Sequence, residues 1–593
     1  MSATDPYAKP EPRYTERLEP SVPVPMRDGT RLATDLHFPV GAPEPLPVIL
    51  IRTPYNKNTW RDERSDARVF AGQGFVVAVQ DVRGKFESEG RYTVSKGDGE
   101  DGYDTIDWLV AQPWCNGNIG TYGCSYLGEN QLMLAKLRHP NHRCAVPKAA
   151  SGGKYRFSYR NGGVVSLMDA MLWFRNNGAK VAPHYDLGDD PALLQQAMPY
   201  FQLRPNLPQI DPFDICRALP VVDIVRSSGA PPTDYEDFVS RDPWDPWWDE
   251  IGYITDDDEF DVPALFTDSW YDYGPGDGLE IFNQFRNRSL SWRARENIYA
   301  IIAPGLHCAH ERAREQTVVG QRDLGDARYP FWQLYLDWFD HWLRGVDNGV
   351  ESQPKLRIYV MGRNIWREEQ EWPPARAVFT PWYLHSAGHA NSRYGDGSLS
   401  PQPPADEPPD HYTYDPATPA PSRGGPSGSG ASDVGAIDQR DVEMRHDILV
   451  YTSDPLPDGL EVTGPLEVVL YVSSSAPDTD FIAKLIDVYP DGRAFNVQEG
   501  AARARYREGS DHEVWMQPGG VYEVRIWLQA TSNWFAPGHR IRLDISSSCF
   551  PRWERNLNTG GRNYDETEWQ VAHTTIHHAP GRASYVLLPV MSD

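Results

Sequence analysis

Gly120-Thr121-Tyr122-Gly123-Cys124-Ser125-Tyr126-Leu127-Gly128 is a short β-like run that meets a helix-forming stretch with a serine pinched between glycines. A serine on a tight strand-to-helix turn has a strained backbone that small neighbours such as Gly123 and Gly128 accommodate, and its hydroxyl stands exposed. The helix that starts at once afterwards aims backbone N–H groups at the same spot, so the Tyr126 amide is placed to stabilise an oxyanion. The spacing is not the usual Gly-x-Ser-x-Gly, because Leu127 fills the second glycine position and Gly128 comes one residue later. Ser125 reads as a candidate nucleophile, against the alternative of an ordinary glycine-flanked turn.

Working outward, Val22 to Pro25 and Thr30 to Phe38 read as strands around the Arg27-Asp28-Gly29 turn. Val48-Ile49-Leu50-Ile51 is wholly apolar, as a parallel strand buried on both faces should be. Phe75 to Gln80 follows a helical stretch, Asp101 to Val110 reads as a helix, Ile119 to Tyr122 as a strand, Tyr126 to Leu137 as a helix and Ala145 to Ala149 as a strand. That rhythm predicts a doubly wound parallel sheet. It lapses from about residue 151 to 260 into helical pieces such as Met168 to Phe174 and Pro191 to Met198, read as an inserted cap. Asp234 to Phe260 carries eleven acidic residues and one arginine. Without EF-hand spacing, this reads as a solvated acidic loop rather than a calcium site. The sheet resumes at Ala264 to Asp268 and Ile298 to Ile302, and Tyr329 to Arg344 is an aromatic helix stopped by Gly345. After Pro354, short alternating strands (Leu356 to Met361, Val442 to Tyr451, Leu466 to Val472, Ala483 to Val488, Val521 to Leu528, Ile541 to Ser546) predict an all-β sandwich, with a Pro/Gly/Ser-rich loop from Pro401 to Gly430.

The chain has 593 residues, enough for two or three domains, and a net charge of −26, which disfavours nucleic acid or an anionic membrane as partner. No stretch is apolar enough to span a bilayer, and Met1 to Tyr14 has no apolar leader core, so a cytoplasmic protein is expected. Six cysteines (115, 124, 144, 216, 308 and 549) lack paired C-x-x-C spacing and are expected to be reduced and mostly buried, with no metal or cofactor.

Ser125, Asp272 and His307 occur in the order nucleophile, acid, histidine, each just past a predicted parallel strand, which is the α/β-hydrolase order. In that arrangement the histidine takes the serine proton while the aspartate fixes its tautomer. Asp268 and Asp277 compete with Asp272, and His310 with His307, on spacing alone.

Four motifs extend the reading: Arg52-Thr53-Pro54-Tyr55-Asn56-Lys57, Gln80-Asp81-Val82-Arg83-Gly84, Pro113 to Gly120, and Gly123-Cys124-Ser125-Tyr126-Leu127-Gly128. Together with Trp270-Tyr271-Asp272, His341 to Gly345, Asp478 to Phe481 and Pro537 to Arg540, they resemble the cocaine esterase family over nearly the whole chain. The wider group holds α-amino acid ester hydrolases, glutaryl-cephalosporin acylases and X-Pro dipeptidyl-peptidases.

The resemblance implies an α/β-hydrolase core in two parts (1–150 and 261–353), a helical cap (151–260) and a C-terminal jelly roll (354–593). It assigns Ser125, Asp272 and His307 as nucleophile, acid and base, and pairs the Tyr55 hydroxyl with the Tyr126 amide in an oxyanion hole. Tyr159, Trp173 and Leu399 match positions lining an acyl pocket, with Tyr159 standing where the family has tryptophan.

Two departures stand out. The family's Gly-Pro-Trp-x-His becomes Ala303-Pro304-Gly305-Leu306-His307, and Tyr273-Gly274-Pro275 replaces the acidic residues that follow the aspartate in relatives recognising an α-amino group. The expectation is a serine hydrolase of small carboxylic esters, with amide cleavage by an acylase or X-Pro-type aminopeptidase and acyl transfer as alternatives. A non-catalytic binding protein is a remote one. The oligomeric state, homo-oligomer included, is left open by the sequence.

Overall fold

The computed structural model describes residues 5–58, 62–153, 160–180, 207–428 and 433–592. Ten strands form the first sheet, in the order β1 (Thr15–Pro25), β2 (Arg31–Val40), β4 (Val76–Asp81), β3 (Leu46–Thr53), β5 (Cys115–Cys124), β6 (His142–Lys148), β7 (Ala264–Tyr271), β8 (Ile298–Leu306), β9 (Leu356–Val360) and β10 (Ile365–Glu369). The stretch from β4 to β9 is parallel throughout, and antiparallel pairs flank it at both edges. All eight residues of β3 are buried, which is why its apolar run shows no alternation.

Helices α1 (Asp62–Gly72), α2 (Asp98–Val110), α3 (Tyr126–Ala135), α5 (Pro275–Arg288) and α6 (Phe331–Arg344) accompany this sheet, while α4 (Leu167–Asn177) lies in the long connection between β6 and β7. Gly120 of β5 faces α6, and a Cβ there would stand 2.8 Å from the Phe339 ring, so a glycine lets helix and sheet close up. Gly345 takes the left-handed conformation (φ 71°) that ends α6, and its N–H bonds the His341 carbonyl at 3.0 Å. The helical piece expected at Pro191 to Met198 lies outside the described residues. In the acidic stretch, Arg241 pairs with Asp237 and Asp245, Lys136 with Asp258, and Arg138 with Glu259.

The C-terminal region is all β, with eleven strands from Ala377–His385 to Tyr585–Met591 in one connected sheet around its own apolar core. Three expectations need correction. Leu356 to Met361 belongs to the first sheet, where Ala300 pairs with Leu356 in parallel register, because a short apolar run reads alike as a parallel-sheet strand and as a sandwich strand. The Pro401 to Gly430 loop contains a strand, Asp410–Tyr414, paired with Ala572–Ile576. Val442 to Tyr451 is a 3₁₀ turn at Val442–Met444 followed by a strand at Leu449–Thr452.

The two regions share buried polar contacts. Arg322, 2% exposed and on the connection between β8 and α6, donates to Asn533 Oδ1 at 2.7 Å, Tyr489 Oη at 3.1 Å and Asp487 Oδ2 at 3.2 Å, all in the β region. Gln498 donates to the Trp270 carbonyl at 2.8 Å and the Tyr271 hydroxyl to the Asn496 carbonyl at 3.0 Å, directly behind the end of β7.

Candidate active site

Ser125, Asp272 and His307 each follow the last residue, or the next but none, of a parallel strand: β5 ends at Cys124, β7 at Tyr271 and β8 at Leu306. All three therefore gather at the carboxyl edge of one sheet. Ser125 has φ 64° and ψ −129°, a conformation disfavoured for a residue with a side chain. Its N–H bonds the Lys148 carbonyl at 2.9 Å, and its own carbonyl accepts from Gly128 at 2.7 Å and Glu129 at 2.9 Å. The glycine spacing now has a cause. A Cβ on Gly123 (φ 155°) would come 2.4 Å from Leu127 Cβ, and one on Gly128 would come 2.7 Å from the Lys148 carbonyl. Leu127 can fill the second glycine position because its side chain turns into the core, while Gly128 is where α3 crosses β6.

His307 Nδ1 lies 2.8 and 2.9 Å from the two carboxylate oxygens of fully buried Asp272. Burial opposes a charged imidazole, yet the charge and hydrogen bond of Asp272 outweigh it, and the His307 pKa is raised above its ordinary value. Nε2 lies 3.6 Å from Cys308 Sγ, and Ser125 Oγ makes no hydrogen bond to another described residue.

The rivals are engaged elsewhere. His310 is buried with Nε2 against Thr267 Oγ1 (3.1 Å) and the Tyr335 hydroxyl (3.3 Å), and its pKa is lowered, chiefly by burial. Asp277 accepts from Gln529 at 3.1 Å. Asp268 is held well above the carboxylate range by burial and by the neighbouring Asp272 charge, and its Oδ1 accepts from the Ser269 N–H at 2.7 Å, while the His307 imidazole bonds Asp272.

Tyr55 is fixed by the motif that carries it. Its N–H bonds Thr53 Oγ1 at 3.1 Å, Asn130 Nδ2 of α3 holds the Arg52 carbonyl at 2.9 Å, and Lys57 N–H bonds Asp81 Oδ1 at 2.8 Å, joining the first and second motifs. The Tyr55 hydroxyl accepts from Trp173 Nε1 at 3.1 Å, and a phenol that accepts one bond still carries its own donor. Trp173 in turn stacks on the Tyr126 ring at 6.0 Å. Tyr126 opens α3, so its N–H is one of the donors a helix start leaves without a helical partner.

The cavity over Ser125 has a volume of about 440 Å³, and Tyr55, Trp173, Ser125 and His307 all line it. Its apolar wall includes Ile51, Leu127, Leu172 and Trp332, and Gly428 reaches it from the C-terminal region. Of the three expected acyl-pocket residues, Trp173 lines this cavity. Leu399 is a correction: it is 2% exposed in the core of the β region, pairs with Leu384 and does not line this cavity. Tyr159 lies outside the described residues.

The sequence reading missed a polar floor in the same cavity. Lys148 Nζ contacts Glu311 Oε1 at 2.7 Å and the Tyr122 hydroxyl at 2.6 Å. That hydroxyl donates to Asp66 Oδ2 at 3.0 Å, and Lys9 meets Asp66 Oδ1 at 3.1 Å. Burial raises Asp66 to about 6. Glu129, on α3 one turn past the serine, is raised to about 7 by burial and accepts from the Tyr273 hydroxyl at 2.9 Å, whose ring is 5.2 Å from His307. The missed cysteine signal is larger. Cys124 and Cys308 form a disulfide, against the expectation of six reduced thiols, while Cys115, Cys144, Cys216 and Cys549 are free.

The X-Pro dipeptidyl-peptidase (S15 family) model matches residues 28–309, and the X-Pro dipeptidyl-peptidase C-terminal non-catalytic domain matches residues 348–587. Cocaine esterase of Rhodococcus sp. (strain MB1 Bresler) is 36% identical over 581 residues, spanning 96% of this chain and 98% of that protein. The chain belongs to the S15 family. A putative serine esterase of Mycobacterium bovis is 27% identical over 91% of each chain. Among solved structures, an α-amino acid ester hydrolase matches with a TM-score of 0.79 at 25% identity, covering 98% of this chain and 97% of that one. An aminopeptidase from a Thaumarchaeota archaeon matches to the same degree. Membership makes this protein a serine hydrolase and fits the α/β core with its C-terminal β region. No helix among the described residues is long and apolar enough to cross a membrane.

Proposed function

We propose that this S15-family member hydrolyses small carboxylic esters through an acyl-Ser125 intermediate. The observation that carries the reading is the His307 Nδ1 bond to buried Asp272 at 2.8 Å, in one cavity with a serine held at positive φ. Ser125 Oγ attacks the ester carbonyl as His307 Nε2 takes its proton, and Asp272 keeps the Nδ1–H tautomer and stabilises the imidazolium. The developing oxyanion faces the Tyr126 N–H and the Tyr55 hydroxyl, where a phenol stands in for a second backbone donor. Collapse passes the imidazolium proton to the departing alcohol, and water repeats the sequence to release the acid.

Amide and peptide cleavage by the same acyl-enzyme is the second reading, favoured by the aminopeptidase neighbour. The pocket chemistry ranks it lower. The carboxylates lining the cavity, Asp66 and Glu311, are already bound by Lys9 and Lys148, which leaves an α-ammonium a poor match. A cytoplasmic site of action belongs to the same proposal, in which the Cys124–Cys308 disulfide is of the redox-responsive kind that reducing compartments tolerate beside four free thiols, and fractionation of the producing cell tests it.

A fluorophosphonate probe should label the wild type and fail on Ser125→Ala. Labelling that persists in the variant overturns the nucleophile. Matched p-nitrophenyl esters and p-nitroanilides should separate by at least about tenfold in kcat/KM in favour of esters, and the reverse order would install the amidase reading.

A further inference from the structure

The base loop of this enzyme has an unusual anchor. Cys124 directly precedes Ser125 and Cys308 directly follows His307, and the disulfide between them spans 184 residues of sequence. It stands where local structure is weak. The pairing of β8 with β7 shifts between Ala303 and Leu306, and Cys308 itself takes φ 52°, in the left-handed region that a side chain resists. Such a conformation persists where the surroundings over-determine it. Gly305-Leu306 precedes the histidine, so the loop carries no bulky ring of its own just before His307.

We propose that Cys124 and Cys308 are positioning residues for the base, so that turnover depends on the thiol–disulfide state of the cavity. Both cysteines are half-buried and line the cavity over Ser125, within reach of a small thiol. A thiolate of a dithiol attacks one cysteine sulfur, the S–S bond breaks, and the other cysteine leaves as a thiolate that takes a proton from water. The reagent's second thiol resolves the mixed disulfide. Two electrons and two protons have then passed to the protein, and the reagent leaves as its own cyclic disulfide.

Reduction has two consequences for His307. The residue after it loses its covalent tie to the nucleophile strand, so Nε2 is no longer fixed relative to Ser125. Cys308 Sγ, 3.6 Å from Nε2, also gains a proton that it can donate to the lone pair the serine needs. The charged groups acting on His307 are Asp272 on the turn after β7, Asp169 on α4 and Glu129 on α3. Loosening the loop weakens the Asp272 contact first, because that contact is direct.

The inference rests on the serine-hydrolase reading, and the test separates the two. Full-length enzyme is purified without reductant, and dithiothreitol reduction of Cys124 and Cys308 is followed by iodoacetamide mass mapping. Steady-state kinetics on a p-nitrophenyl ester are then measured across pH. The expected result is a fall in kcat of about tenfold with KM within about twofold, reversed on reoxidation. The acid limb of kcat/KM should move to lower pH as His307 loses its fixed carboxylate.

The double variant Cys124→Ala/Cys308→Ala should be slow and indifferent to dithiothreitol, while Cys115→Ser should respond as the wild type does. Equal turnover by oxidised enzyme, reduced enzyme and double variant overturns the inference. So does a loss of thermal stability that leaves kcat and the acid limb unmoved. Absence of fluorophosphonate labelling in the oxidised wild type would instead overturn the serine-hydrolase reading itself.

Discussion

The serine turn and the histidine loop face each other across one cavity, and they are held by different means. The serine turn is built mostly from its neighbours in sequence: Gly123 clears the space that Leu127 Cβ needs and α3 starts on the next residue, with the Lys148 carbonyl of β6 the one outside partner that Gly128 makes room for. The histidine loop borrows its constraints from distant residues, namely Asp272 35 positions upstream and a disulfide to Cys124. Ser125, set mostly by local geometry, depends little on distant contacts. His307, fixed from afar, can be tuned or released by changes that never touch it.

The largest effect should come from the far side of that comparison. His307→Ala is expected to lower kcat by roughly 10⁴-fold or more, while His310→Ala, whose ring is turned toward Thr267 and Tyr335, should keep turnover within about tenfold. Ester kinetics on folded variants check both, and the opposite ranking would move the base to His310.

On the serine side, Gly128→Ala should act on packing before chemistry. The added methyl would meet the Lys148 carbonyl at 2.7 Å and Ala150 Cβ at 2.8 Å, so destabilisation of about 1–3 kcal/mol is expected by chemical denaturation. A neutral result would show that the crossing of α3 and β6 does not set the spacing of the turn.

The smallest effect lies where the two sides touch. Glu129 is buried on α3, beside Tyr273 and His307, with a pKa raised to about 7. A carboxyl whose folded-state pKa is raised keeps its proton in the fold after the unfolded chain has lost it. Stability therefore falls as pH rises from the ordinary glutamate range through about 7. Glu129→Gln should flatten that part of a melting-temperature profile, and an unchanged slope would show that Glu129 does not carry it.

Much of the architecture was legible because it follows from local rules. The unbroken apolar run of β3, the Asp28-Gly29 turn with Gly29 at φ 86° and the Gly345 stop of α6 read directly into the fold. The strand-to-helix turn that carries Ser125 was legible for the same reason. Choosing Asp272 over Asp268 and Asp277 on spacing alone was not, because the three differ in burial and in which neighbours they face, and neither is written in spacing. Leu356 to Met361 was misplaced because Ala300, the partner that makes it a strand of the parallel sheet, lies far earlier in the chain. The polar floor of Lys148, Glu311, Asp66 and Lys9 left no trace, being four charges from four separate segments. One signal was available for the disulfide: two of six cysteines sit directly beside Ser125 and His307. Adjacency to two residues already expected to meet implied that the cysteines meet as well.

Arg322 bears on the ancestry of the chain. Its three acceptors, Asp487, Tyr489 and Asn533, all lie across the junction in the β region, and its guanidinium is sealed from water. A cut between the two regions strands a buried cation on one piece and a buried carboxylate on the other, a fault costing several kcal/mol. The halves are therefore poor candidates for recombination with foreign partners, and a gene fusion that swapped either one would have to carry the matching side of this contact with it.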